Sequence, residues 1–102
     1  MSLKKRYLKS KPVCKCTFIL PKDAAPAAEK VTLVGDFNGW ETDSTPMKRL
    51  KTGDFKLELE LEAGRAYQYR YLIDGEQWEN DWHADDYHPA PGLPVENSVV
   101  RA

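Results

Sequence analysis

Residues 55–62, FKLELELE, alternate apolar and charged side chains for eight positions without a fault. Leu and Glu are both good helix formers, so propensity alone argues for a helix. A strand, however, places Phe55, Leu57, Leu59 and Leu61 on one face and Lys56, Glu58, Glu60 and Glu62 on the other. The period of two decides for a strand. VCKCTFIL, 13–20, repeats the pattern with Cys14, Cys16, Phe18 and Leu20 on one face. AYQYRYLI, 66–73, does so with Tyr67, Tyr69, Tyr71 and Ile73 facing one way and Ala66, Gln68, Arg70 and Leu72 the other. Strands with a single apolar face must bury it against another layer, and no convincing helix is present to supply one. The expected architecture is all-β: an immunoglobulin-like antiparallel sandwich of about seven strands.

Shorter pieces complete it. KVTLVGDF is a β-branched run that ends at a glycine, MKRL a brief extended piece, and NSVVRA a last strand. Thr52-Gly53, Ala63-Gly64-Arg65 and Asp74-Gly75 read as turns, the last as a hairpin with EQW beyond it. PKDAAPAAEK and residues 79–96 read as loops on their prolines. With 102 residues, no internal repeat and no linker, the chain has room for one domain. Residues 1–12 are read as a basic N-terminal arm or edge segment, and 13–102 as the single domain.

Composition excludes several classes. Apolar residues at 41% and charged residues at 30% describe a folded domain, not a disordered one. No apolar run approaches the roughly 20 residues needed to span a bilayer. The start, MSLKKRYLKSK, lacks the apolar stretch of a secretion signal, so the cytoplasm is the expected location and no membrane the expected partner. Lys4, Lys5, Arg6, Lys9 and Lys11 precede the first acid, whereas no Lys or Arg occurs from Tyr71 to Ser98. Five basic residues without an aromatic-rich basic face are an edge kept from aggregating, not a nucleic-acid site. Cys14 and Cys16, two apart on a strand, share a face and read as core thiols, because no second pair exists to complete a zinc site. His83, Asp85, Asp86 and His88 lie close together, but with Asp81 they read as an open, solvated acidic loop. No metal or cofactor is expected.

The three tryptophans all sit at loops: Trp40 closing VGDFNGW, Trp78 after the Asp74-Gly75 turn, and Trp82. Trp40 either caps the end of the sandwich or faces a ligand. With Trp78 it can form a flat apolar platform of the kind that marks a binding site. Sugar rings suit such a platform, their C–H faces lying on the indoles and their hydroxyls meeting Gln68, Arg70 and Asn97 at the edge. Trp82 is assigned to packing.

VTLVGDFNGW, AGRAYQYRYLIDGEQW and ENSVV together resemble the early-set domain of isoamylase type, carbohydrate-binding module family 48. That family includes the N-terminal domain of glycogen branching and debranching enzymes and the glycogen-binding domain of the AMP-activated protein kinase β subunit. The leader KSKPVCK is similar to that of short members with no catalytic domain attached. The resemblance runs from about Val31 to Val100. It implies that Trp40 and Trp78 stack glucose rings, that Arg70 and Asn97 hydrogen-bond hydroxyls, and that Leu93 slots into the ring of a cyclic glucan. The sequence departs from the pattern twice. The turn before Trp78 is one residue longer, DGEQW, and a hydroxyl-bearing position is Val95.

No catalysis is expected. The enzymes of the family hydrolyse on a separate barrel of about 250 residues, and neither a nucleophile elbow nor a phosphate loop occurs here. A glycoside-hydrolase label would reflect the accessory domain alone. The expected partner is an α-1,4-glucan such as glycogen, starch or maltodextrin. The alternative is a regulatory early-set module that has lost sugar binding and docks on a glycogen-metabolising enzyme or kinase. Polar residues around the indoles favour the first, and an apolar patch continuing into Tyr87 and Leu93 the second.

Overall fold

The alternating segments pair with one another as their periodicity requires. The computed structural model describes residues 3–102, so Met1 and Ser2 of the basic segment lie outside the described residues. Nine strands follow in order: β1 Leu3–Tyr7, β2 Val13–Leu20, β3 Val31–Gly35, β4 Lys48–Arg49, β5 Phe55–Glu62, β6 Ala66–Ile73, β7 Gln77–Glu79, β8 Asp86–Pro89 and β9 Glu96–Arg101. One sheet has the order β1-β2-β5-β4, the other β3-β6-β9-β8, with β7 also paired to β6. All pairings are antiparallel. The chain is an immunoglobulin-like β-sandwich.

Register matches the apolar faces residue for residue. Cys14 lies opposite Leu61, Cys16 opposite Leu59, Phe18 opposite Leu57 and Leu20 opposite Phe55. On the outer face of that sheet Lys15 meets Glu60, an opposite-charge pair that favours this register over a one-residue slip. From the second sheet Tyr67, Tyr69, Tyr71 and Ile73 point inward and join the same core. Tyr69 packs edge-on against Phe18 with ring centroids 5.1 Å apart, locking the two layers.

Each side of the sandwich is closed differently. Residues 45–47 cover the free edge of β3, with the Leu33 N–H donating to Thr45 O and the Met47 N–H to Val31 O, before the chain enters β4 in the opposite sheet. On the other side β1, the basic segment, is an edge strand. Its Lys5 reaches across the layers to Asp85 at 2.7 Å and to the Arg101 carbonyl at 3.0 Å. An inward-pointing charge of this kind discourages edge-to-edge association.

Three details depart from expectation. The strands number nine, not about seven, because β1 forms within the basic segment and β8 within residues 79–96. β8 lies inside a stretch read as loop, since its Pro89 is tolerated where the strand is an edge. Asp81 is not in open solvent: it is 1% exposed. Its Oδ2 accepts from the Tyr69 and Tyr71 hydroxyls, its Oδ1 from the His83 N–H, and its own N–H donates to Ser98 Oγ. Trp82, assigned to packing, is 50% exposed. The chain turns Asp81 inward to meet the two phenols, which carries its neighbour outward.

Cys14 and Cys16 are fully buried free thiols, their sulfurs 3.7 Å apart. Burial pushes the Cys16 thiol up to about 12 and raises the Tyr69 and Tyr71 phenols well above their ordinary range. These groups hold their protons more tightly folded than unfolded. Their contribution to stability is therefore intact below about pH 9 and is lost as pH climbs from there through the folded values. Urea midpoints should be lower at about pH 10.5 than at about pH 7.5. An unchanged midpoint would contradict the burial of all three.

Candidate functional site

The turn after β3 is built from its own polar side chains. Asn38 Oδ1 accepts the Gly35 N–H at 3.1 Å, while Asn38 Nδ2 donates to Leu33 O and to Thr45 Oγ1. A single amide thus knots both ends of the loop together. Phe37 turns inward and packs beside Phe18, Tyr67 and Tyr69. Gly35 permits a close approach: a Cβ there would stand 2.5 Å from the Gln68 carbonyl oxygen. Gly39 and Trp40 both adopt left-handed backbone, with φ of 66° and 60°. That conformation is ordinary for glycine and strained for a tryptophan. Trp40 is left half-buried, its indole N–H donating to Asp36 Oδ1 at 2.8 Å.

Register places the other candidates. Leu72 lies opposite Trp78 and Val34 opposite Arg70, so Trp78 and Arg70 share the outer face of the second sheet. The longer turn does not disturb this, because Asp74, Gly75 and Glu76 form a three-residue loop closed by the Glu76 N–H on Ile73 O, with Ile73 opposite Gln77. Trp78 is 44% exposed, and the Arg70 guanidinium carbon sits over its ring, 5.0 Å from the centroid. That cation–π contact occupies one face of the indole.

Tyr69 pairs with Ser98, so one step further along the ladder Asn97 comes opposite Arg70. Asn97 is 5% exposed and its Nδ2 donates to Gln68 Oε1 at 3.0 Å. Among the described residues two buried side-chain polar atoms have no hydrogen-bond partner, Arg70 Nε and Asn97 Oδ1. Buried polar groups are rarely left so. Here a donor and an acceptor are left on neighbouring strands of one face. The apolar floor of that face is Val34, Leu72 and Val99, all buried yet outside the core between the sheets.

Arg70, Trp78, Gln68 and Asn97 are thus brought together, and Trp40 is tied to them through Asp36, whose second oxygen accepts the Gln68 N–H at 2.8 Å. Leu93 stands apart at the tip of the β8–β9 connection, exposed, with its N–H on Ala90 O. Tyr87 lies opposite Ser98 and donates its hydroxyl to Asp81 O, on the inward side of the sheet. It does not extend the face that holds Trp78. Asp36 escaped sequence reasoning. The signal for it was an acid four residues before a tryptophan in a turn of Asp, Asn and Gly.

Residues 25–88 match the family Carbohydrate-binding module 48, described as the isoamylase N-terminal domain. The chain belongs to that family. The module 48 match contains Trp40, Gln68, Arg70 and Trp78, with Leu93 and Asn97 beyond its end. Among curated relatives, a 1,4-alpha-glucan branching enzyme of Nocardia farcinica is 34% identical over 76 residues, 74% of this chain and 10% of that protein. A 1,4-alpha-glucan branching enzyme of Aquifex aeolicus is 40% identical over 58 residues, 56% of this chain and 9% of that protein. Protein PTST homolog 2, chloroplastic, of Arabidopsis thaliana is 40% identical over 55 residues, 54% of this chain and 10% of that protein. The chain spans about a tenth of the length of these relatives. What it shares with them is the carbohydrate-binding module.

Proposed function

We propose that this module binds α-1,4-linked glucan, such as glycogen, starch or maltodextrin, without acting on it. Trp40 and Trp78 stack glucose rings. Arg70, Gln68 and Asn97 meet the hydroxyls, and Leu93 makes an apolar contact at the rim. The observation that carries the reading is a single sheet face that sets the exposed Trp78 ring and the Arg70 guanidinium beside the amides of Gln68 and Asn97. A sugar offers an apolar C–H face to such a ring, and its hydroxyls, which both donate and accept, to a guanidinium and to amides. Tyr87 lies on the inward side of its sheet and does not extend the surface around Trp78, which supports a glucan over a protein partner. An open sheet face buries less of its ligand than a pocket does, so affinity is modest.

The test is titration of maltoheptaose and β-cyclodextrin into the purified chain while following tryptophan fluorescence, with cellohexaose as control. Saturable change with the α-linked sugars alone is the expected result. Equal response to cellohexaose, or none to any sugar at millimolar concentration, would reject it.

A further inference from the structure

We infer that Asp36 is the positioning residue for the Trp40 half of the platform, holding the indole by its edge so that only its flat face is offered to a ligand. The inference rests on Trp40 being a stacking residue. An indole N–H is a donor only, and Asp36 Oδ1 takes it at 2.8 Å in a charge-assisted bond. The other carboxylate oxygen takes the main-chain N–H of Gln68, also at 2.8 Å. One carboxylate therefore fastens the ring to β6, at the residue whose side chain accepts from Asn97. Among the described residues no other group accepts the Trp40 indole N–H. Asn38 already spends its oxygen on Gly35 and its amide hydrogens on Leu33 and Thr45.

Two consequences follow for recognition. With Nε1–H engaged, Trp40 has no polar group left for a sugar hydroxyl, so it contributes stacking alone and discrimination between hydroxyl patterns falls to Arg70, Gln68 and Asn97. The ring is also held before the ligand arrives. Backbone at φ 60°, the Trp40 N–H on Gly35 O and the Asp36 bond together fix its direction. A side chain already ordered loses less entropy on binding. The second ring is held by a different device, a guanidinium beneath its face.

The experiment is a double-mutant cycle on the full chain. Asp36→Ala should weaken maltoheptaose binding about tenfold. Trp40→Phe keeps an aromatic face but has no N–H, and on that background Asp36→Ala should cost less than about twofold. A tenfold loss on both backgrounds, or no loss on the native one, would overturn the inference. If Asp36→Ala does not fold, Asp36→Asn enters the same cycle, since an amide cannot accept from both N–H groups at once. A second readout is independent of sugar. With Trp78 and Trp82 both changed to Phe, Trp40 is the sole emitter, and Asp36→Ala should add fast local depolarisation to its fluorescence anisotropy decay. If the native chain binds no α-glucan, the stacking role falls, while this decay still decides whether Asp36 orients the ring. Unaltered decay would overturn the inference by itself.

Discussion

Trp40→Gly should abolish retention on α-glucan while leaving thermal stability almost unchanged. A tryptophan at φ 60° sits in a region that costs an L-residue about 1 kcal/mol or more. Glycine relieves that strain, which offsets the loss of a half-buried ring and of its bond to Asp36. Trp40→Ala removes the same ring without relieving the backbone, so it should be the less stable of the two variants although it is the smaller chemical change. Both should weaken maltoheptaose by about 2 kcal/mol or more, roughly thirtyfold, as the loss of a central aromatic anchor does. Trp78→Ala should cost a similar amount. Calorimetric titration beside thermal denaturation separates the outcomes. Unfolding of Trp40→Gly would make the indole a cap on the sandwich, and undiminished binding would remove Trp40 from the platform.

The largest loss of stability should come from Asp81→Ala. A buried carboxylate is tolerated only when its oxygens are occupied, and Asp81 accepts from two phenols and a backbone N–H. Its removal strands the hydroxyls of Tyr69 and Tyr71, both fully buried. Each unsatisfied buried donor costs about 1–3 kcal/mol, so the variant should lose about 3 kcal/mol. That is a large share of the 5–15 kcal/mol typical of a domain. At this size it corresponds to a fall of roughly 15 °C in Tm. Adding Tyr69→Phe and Tyr71→Phe to Asp81→Ala should recover part of the loss, because the stranded groups are then gone. A fall of only a few degrees for Asp81→Ala would mean that the phenols find other acceptors.

Sequence alone made the layers legible because period two survives in every long strand. Phe55 to Glu62 reads as a strand against its own helix propensity, and the facing of Tyr67, Tyr69 and Tyr71 is evident from alternation. Trp78 and Arg70 on one face follow from the same rule, once the turn between them absorbs its extra residue. What could not be read depends on contacts between distant residues. Asp81 looks like one more acid in an acidic loop until the hydroxyls of two tyrosines more than nine positions away are known to end beside it. β8 hides behind Pro89 because proline signals a loop and an edge strand alike. Asp36 is invisible for a related reason: its bond to Trp40 is local, but its bond to Gln68 exists only after β3 and β6 have paired.

β6 writes two messages in alternate letters. Tyr67, Tyr69, Tyr71 and Ile73 say how the layers close, and Gln68, Arg70 and Leu72 say what the outer surface presents. Substitution can therefore revise the second message and leave the first untouched. Insertion cannot, since one added residue within the strand exchanges the two sets and ruins both at once. The loop of Asp74, Gly75 and Glu76, where this sequence is one residue longer than the family pattern, lies just past the last letter. A surface of this design can be changed in chemistry far more easily than in length.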